Sequence, residues 1–501
     1  MRIWRNWRFW LLLLAVAVGM SLFLLAAQSA GGLGFPLDDA WIHQTYARNV
    51  GINGRWEYTL GQPSAGSTAP LWTLLLAVGY LLRLPPLLWA NLLGGGLLLA
   101  IGWLGMRLWR QLWPEWARFD WAVGVVLVLT WPLLWAAASG METLLFTALG
   151  LFICDRYLTK PDLSPLLGLL SALLILVRPD GLVLLLTLIL LQTLHPTPYT
   201  LRPLLLFALA FLLPLIPYFS FNMWSGGQLW PTTFYAKQAE YAPLLAQPLL
   251  WRLWQVAMVS LGGVATGRGM SSAHLLLLPG VFVTVWRWLQ QRRWQPFLLL
   301  LWAGGHVVLY AWWLPLVYQH GRYLLPTVPV WVLLGLAGWG WLLGGNGRFF
   351  RILRQTAVLS FAIVLLFFLL QGAVAYGRDV AFIEGEMVAA ARWLAVNTEP
   401  DVLVAAHDIG AIGYFAERPL LDLAGLLSPE VVPLLSDGAA LVEYALAAGA
   451  GYLVTAPGWP YRALGERGTA VYQTDFAWTR EQGWENTAVY RLGVAPKSAD
   501  N

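Results

Sequence analysis

The sequence predicts a polytopic α-helical membrane protein carrying a small α/β domain at its C-terminus, and three observations make that prediction. The 501 residues are 58% hydrophobic and only 11% charged, with a mean hydropathy of +0.62, whereas a soluble globular chain is nearer half apolar and a quarter charged. Apolar runs long enough to enter a bilayer recur from residue 9 to residue 376. From residue 377 onward the composition reverts to that of an ordinary soluble domain.

The deficit of charge is the strongest of these signals, because a charged side chain at mid-membrane costs several kcal/mol. A span needs about 20 apolar residues. Runs at 9–27, 87–108, 121–138, 142–157, 163–177, 180–194, 202–221, 270–288, 297–314, 323–344 and 355–376 give an expected count of about eleven. Arg2, Arg5 and Arg8 precede the first run. It is read as a retained helix rather than a cleaved signal peptide, since it is long enough to span and many more spans follow. Two further apolar stretches, 70–84 and 248–265, are expected to be re-entrant or to lie along the surface.

Charge orients the helices. With the N-terminus in the cytoplasm, the inner segments hold Arg2, Arg5 and Arg8, then Arg107, Arg110 and Arg118, Arg156 and Lys160, Arg202, Arg287, Arg292 and Arg293, and Arg348, Arg351 and Arg354. The longer outer segments carry fewer cations, among them Arg48, Arg55, Arg83, Arg178, Lys237, Arg252, Arg268 and Arg322, as the positive-inside rule requires. Counting 70–84 as a full span would invert the next clusters. The tryptophans number 31. Many close apolar runs (Trp4, Trp7, Trp10, Trp109, Trp113, Trp312, Trp313), the position that suits an indole at a bilayer interface, with core packing as the alternative. The net charge of +5 is spread over these short clusters, so it reads as a topology signal and nucleic acid is not an expected partner. The single cysteine, Cys154, supports neither a disulfide nor a thiolate metal site.

The expected division is a membrane body at 1–376, with a first outer loop at 28–86, and an extracytoplasmic α/β domain at 377–501. The tail alternates a helical pattern at 383–396, a strand at Val402–Ala406, helical patterns near 426–448, a strand at Tyr452–Thr455 and strand-like runs near 470–476 and 487–492. Such alternation predicts some parallel pairing.

The first outer loop contains Pro36-Leu37-Asp38-Asp39, then a helical pattern that places Asp39, His43 and Tyr46 near one face. Adjacent carboxylates above an apolar body fit a general base or a metal site; on spacing alone, helix capping is the simpler reading. A Gly/Ser/Pro-rich stretch follows, ending in Gly66-Ser67-Thr68-Ala69-Pro70-Leu71-Trp72, an ordered irregular loop whose Pro70 opens a helix. In the tail, His407-Asp408 is read as capping or lining a strand end, and Gly410 and Gly413 are too sparse for a dinucleotide fingerprint.

Taken in order, these segments resemble the GT-C glycosyltransferases, most closely bacterial arabinofuranosyl, mannosyl and aminoarabinose transferases. Asp38-Asp39-Ala40-Trp41-Ile42, Tyr46-Ala47-Arg48-Asn49 and the Gly-Ser-Thr-Ala-Pro-Leu-Trp stretch resemble their first outer loop, and Ser139-Gly140-Met141-Glu142-Thr143 resembles their second. Further likenesses follow at Arg178-Pro179-Asp180-Gly181, Pro231–Lys237, Gln319–Pro326, Asp408–Tyr414 and Leu421–Leu426. The resemblance implies inverting transfer of a sugar from a polyprenyl-phosphate donor to a glycan, lipid or protein acceptor. It places the reaction at the outer face of a bacterial inner membrane, with the N-terminus cytoplasmic and the tail extracytoplasmic. It implies a catalytic base at Asp38 or Asp39, with Asp38 favoured by its place in the motif. Substrate contacts are implied at His43, Glu142, Arg178, Tyr235, Lys237, His320 and Arg322, the cations as candidates for holding the leaving phosphate. A divalent metal at Asp39 or Glu142 is a further candidate, although the second loop has one carboxylate where relatives have an Asp-x-Asp pair.

Two other classes fit many helices with outer cations: a transporter or flippase of a lipid-linked sugar, and a non-catalytic scaffold. Transporters commonly show inverted repeats and charges at mid-membrane; no convincing repeat is visible here, and the notable acids fall at helix ends on one side.

Overall fold

The computed structural model describes residues 7–194, 201–262, 273–456 and 461–493. Arg2, Trp4, Arg5, Arg268 and the start of the 270–288 run lie outside the described residues. The chain divides into two compact units, and each is built from segments far apart in sequence.

The first unit comprises Met1–Ala26, Ala90–Ile216 and Leu244–Ala375 and is helical. Among the described residues of the whole chain, five helices are long and apolar enough to cross a membrane: Trp7–Ala30, Pro86–Leu112, Arg202–Gly226, Gln319–Leu342 and Arg348–Asn397. A sixth results if Pro114–Leu129 and Trp131–Ala138, bent by 56°, form one span. Each remaining run counted in the sequence also forms a helix, but a short one: Thr143–Thr159, Pro165–Val177, Leu182–Leu194, Leu278–Gln290 and Phe297–Trp313. Within one counted run, 121–138, the helix breaks at Thr130 just ahead of Trp131-Pro132, where the proline ring fixes φ and removes a donor; Pro165 instead opens its helix at the first position. The stretches 70–84 and 248–265 hold the helices Pro70–Leu81 and Leu249–Ser260.

Lone acids pair with the basic clusters. Asp120, fully buried, receives Arg8 at 3.3 Å and Arg110 at 3.0 Å, and Arg107 binds Asp155 through two nitrogens at 3.2 and 2.9 Å. Small residues bring helices together: a Cβ on Gly280 or Gly338 would overlap the facing backbone, so helices Leu278–Gln290 and Val328–Leu342 approach closely, as membrane helices do through small-residue seams. For tryptophan the two readings, interface and core packing, divide by position. Trp7, Trp10, Trp312 and Trp313 are exposed, but Trp109 and Trp113 are buried, Trp113 stacking on Trp288 at 6.0 Å. Their apolar area is worth more inside the helix packing than at a wet edge.

The second unit joins Ala27–Trp89 and Pro217–Pro243 to Tyr376–Asn501. A short antiparallel hairpin, β1 (Glu57–Thr59) and β2 (Gln62–Pro63), lies in its first segment. The tail carries five strands, β3 (Val404–Ala406), β4 (Leu420–Asp422), β5 (Tyr452–Thr455), β6 (Gly468–Gln473) and β7 (Ala488–Leu492), in spatial order β4-β3-β5-β7-β6. The β3 strand runs parallel to β4 and β5, while β7 runs antiparallel to β5 and β6. Leu421, Leu423, Val431, Leu441, Ala445 and Leu453 form part of the core against this sheet. A second cluster takes Tyr46 and Tyr58 from the first segment, Ala236 from the second, and Ile409, Ala424 and Leu426 from the tail. The three segments therefore share one interior, which sequence separation conceals.

Where the last long helix enters the tail, Glu386 is almost wholly buried. Its carboxylate accepts from the hydroxyl of Thr479 at 2.5 Å, the Asn486 amide at 2.7 Å, the Thr487 N–H at 2.8 Å and the Thr474 hydroxyl. A buried carboxylate is tolerated when its lone pairs are filled in this way.

Candidate functional site

The acid doublet opens the helix Asp38–Asn53, with Leu37 at the N-cap position. Capping is therefore not what Asp38 does. Its side chain turns away from its own helix and accepts the N–H of Gly410 at Oδ2, 2.6 Å away, and the N–H of Ala411 at Oδ1, 2.7 Å away. Asp38 is half-buried and keeps some access to solvent. Burial is the main force raising its pKa above the ordinary carboxylate range, the nearby Asp408 carboxylate adds to it, and the two N–H donors oppose it. Asp408 is raised as well, chiefly by burial and then by Asp39 and Glu240.

The neighbouring Asp39 points to a different partner. Lys237 Nζ lies 3.7 Å from its Oδ2, on the helix Thr232–Glu240. One turn on, Glu240 lies 3.7 Å from Nε2 of His407, whose Nδ1 is 2.7 Å from the Tyr461 hydroxyl. Burial lowers the pKa of His407. Asp38, Asp39, Lys237, Glu240, His407 and Asp408 thus gather in the second unit, four acids with one lysine and one histidine. Tyr235 lies on the same helix as Lys237, half-buried beside Phe234, and His43 is buried on the helix that carries the acids.

The irregular loop after the hairpin frames this cluster. Tyr46 pairs with the Ser64 hydroxyl at 2.6 Å, Tyr218 donates to Ser67 O at 3.0 Å, Thr232 N–H donates to Ala65 O at 3.0 Å, and Thr233 donates to Gly66 O at 2.6 Å. Gly66 is required by space: a Cβ there would press on Leu426 O, Leu427 and the Tyr46 hydroxyl. Asp422 organises the facing tail loop by accepting the N–H groups of Ala424 at 2.9 Å and Leu427 at 2.6 Å, and burial pushes its pKa up to about 6.

The other sequence candidates fall in the first unit. Arg178 is buried, donating to Asp180 at 3.1 Å, to Glu142 at 3.4 Å and to the Tyr310 hydroxyl, with the Phe146 and Tyr323 rings against its guanidinium. Tyr310 also donates to Asp180 at 2.9 Å. Glu142 and Arg178, named as separate substrate contacts, are thus members of one buried ionic network. Arg322, also buried, donates to the Tyr323 hydroxyl at 2.9 Å. His320 sits between the edges of Trp131 and Trp135, at 5.2 and 5.5 Å. Gln319, His320 and Gly321 are three consecutive residues with left-handed backbone, at φ of 51°, 56° and 66°. Strain of this kind collects at functional turns.

Among the described residues no three His, Cys, Asp or Glu side chains group as ligands for an ion. The two candidates, Asp39 and Glu142, belong to different units and each already faces a cation, Lys237 and Arg178 respectively. Among the described residues the donor set does not fit a divalent metal.

Sequence reasoning missed three members of the cluster, Glu240, His407 and Asp408. Asp408 was assigned to a strand end, where it does lie, just beyond β3, but its charge acts on Asp38. Glu240 follows Lys237 by three residues on the same helix, a spacing that could have flagged it.

The fold is that of the GT-C membrane glycosyltransferases. In particular, the chain is similar to ArnT from Cupriavidus metallidurans bound to undecaprenyl phosphate, at 16% identity and a TM-score of 0.62, over 97% of this chain and 98% of that one. It is also similar to the oligosaccharyltransferase AglB from Archaeoglobus fulgidus in complex with an inhibitory peptide and a dolichol-phosphate, at 11% identity and a TM-score of 0.60, over 100% of this chain and 75% of that one. The Archaeoglobus fulgidus oligosaccharyltransferase in complex with Zn and sulfate matches at 12% identity and a TM-score of 0.57, over 96% of this chain and 73% of that one. A family model described as "Domain of unknown function (DUF8728)" matches residues 378–498. Comparison with curated protein sequences gives no match.

Proposed function

We propose that this protein is an inverting glycosyltransferase that moves a sugar from a polyprenyl-phosphate donor to a glycan, lipid or protein acceptor at the outer face of a bacterial inner membrane. The observation that carries the reading is the pairing of the acid doublet with Lys237: a carboxylate able to take a proton stands beside a carboxylate that holds a cation, in a chain whose fold matches ArnT end to end. Fold alone does not assign chemistry; these side chains supply the argument.

For a hydroxyl acceptor, its oxygen attacks the anomeric carbon from the face opposite the phosphate. The new C–O bond forms as the bond from carbon to phosphate oxygen breaks, and the configuration inverts. The hydroxyl proton passes to the Asp38 carboxylate, and polyprenyl phosphate leaves with the bonding pair. A positioned base of this kind contributes about 10²–10⁴-fold. Lys237, steered by Asp39, offers charge to the departing phosphate. Arg322 and His320, at the strained turn, are retained as proposed donor contacts, as are His43 and Tyr235. Arg178 and Glu142 have their clearest role in holding the first unit together.

Organisation into a membrane body at 1–376 and an extracytoplasmic domain at 377–501, about eleven spans and a cytoplasmic N-terminus belong to the same proposal. The match of the family model to 378–498 supports the boundary, and the arginine clusters support the orientation. The test is incubation of purified protein with labelled polyprenyl-phosphate sugars and a panel of glycan, lipid and peptide acceptors. Transfer from one donor supports the reading; donor movement across the bilayer without transfer would replace it with lipid-linked sugar transport.

A further inference from the structure

The tail reaches Asp38 with its main chain. Gly410 and Ala411 donate their N–H groups to the two carboxylate oxygens at 2.6 and 2.7 Å, one donor to each. Backbone donors cannot rotate away as side chains do. The approach depends on the missing side chain at 410, where a Cβ would overlap both the main-chain oxygen and Oδ2 of Asp38. The same tail segment is pinned on either side. The Tyr58 hydroxyl donates to Ile409 O at 2.6 Å, and Gly413 leaves room for that hydroxyl. Tyr58 is tied in turn to the acid-bearing helix, because the Asn49 amide donates to the carbonyls of Glu57 and Tyr58, each at 2.9 Å. Asp38, Asn49, Tyr58 and residues 409–413 form a closed frame inside one unit.

Resting on the reading of Asp38 as the base, we propose that the domain at 378–498 is a positioning element of the transfer reaction, its Gly410–Ala411 main chain fixing the direction of the Asp38 carboxylate. A free aspartate samples several rotamers. Two fixed donors select one, and a carboxylate has lone pairs to spare for an incoming hydroxyl. Positioning of this sort acts on the chemical step and leaves donor binding nearly unchanged. Gly410 and Ala411 are positioning residues; they need not touch substrate.

The experiment uses the full-length protein in nanodiscs as wild type, Gly410→Ala, Ala411→Pro and Gly438→Ala. Ala411 has φ of −63°, which proline adopts, so that substitution removes one donor while keeping the backbone angle at 411. Gly438 lies in the same domain with open space around it and serves as the control. Two readouts are taken: transfer from a labelled undecaprenyl-phosphate sugar, and the rate at which a water-soluble carbodiimide labels Asp38 as a function of pH, followed by mass spectrometry. The expected result is a kcat lower by about 10–100-fold in Gly410→Ala and Ala411→Pro with KM within about two-fold, an Asp38 labelling profile displaced along the pH axis, and Gly438→Ala like wild type. Unchanged kcat and labelling would overturn the proposal. In wild type alone, the amide hydrogens of Gly410 and Ala411 are expected to exchange slowly because Asp38 holds them; free exchange of both would also overturn it, whether or not the variants fold. Should Asp38→Asn retain full transfer, the assignment of the base fails, while a displaced labelling profile still reports the frame.

Discussion

Lys237 Nζ stands 3.7 Å from Oδ2 of Asp39, a partly exposed ion pair that links the helix Thr232–Glu240 to the helix Asp38–Asn53. An exposed pair contributes little to stability, typically under about 1 kcal/mol. Lys237→Met is therefore expected to leave unfolding temperature nearly unchanged, and to raise KM for the polyprenyl-phosphate donor or lower kcat by about ten-fold or more. Steady-state kinetics beside a thermal melt checks it; a large loss of stability with normal kinetics would contradict the assignment.

The acid limb of the pH–rate profile follows from Asp38 and Asp408. An ordinary aspartate loses its proton near pH 4. Burial and the Asp408 charge raise the folded value of Asp38, so the active carboxylate is absent at low pH and appears only as pH climbs above that ordinary value. Activity should accordingly fall on acidification well before pH 4. Asp408→Asn removes a repelling charge, so the limb should move to lower pH. A limb that stays in place, or moves upward, would show that Asp38 does not set it.

Arg178 tests a structural role against a functional one. Its guanidinium is enclosed by Glu142, Asp180 and Tyr310. Replacing it by methionine strands two buried carboxylates, which typically costs about 3–5 kcal/mol. The expected outcome is poor recovery of folded protein in detergent and a melt lower by several degrees. A fully stable Arg178→Met with lost transfer would move Arg178 to the donor phosphate instead.

Glu386→Ala removes the acceptor shared by Thr474, Thr479, Asn486 and Thr487. Several buried donors are left without a partner, at a cost on the order of 3 kcal/mol. Limited proteolysis of the full chain should show earlier cleavage between residues 474 and 487. Unaltered protection would contradict the account of Glu386 as the clasp of this region.

Much of this was legible in the sequence, and the reasons differ by element. Periodicity and apolar length gave the helices, because the bilayer imposes a length that composition must satisfy. The strands at Val404–Ala406 and Tyr452–Thr455 followed from short apolar runs between turns. Strand Leu420–Asp422 was missed because it follows Pro419 directly and ends on a charged residue, so no apolar run between turns marks it. The acid doublet was legible as a motif, but not what holds it: Gly410 is 372 residues from Asp38, and a backbone donor leaves no trace in residue type except the glycine that makes room. The sequence reads Glu142 and Arg178 as separate substrate contacts because ion pairing between loops is a tertiary fact.

The most direct test of the central claim is transfer of labelled sugar by Asp38→Asn, which keeps the shape of the side chain and removes its basicity. With a donor that wild type uses, the account predicts a loss of about 100-fold or more in kcat, with the protein still folded and inserted. Wild-type turnover by Asp38→Asn would contradict it.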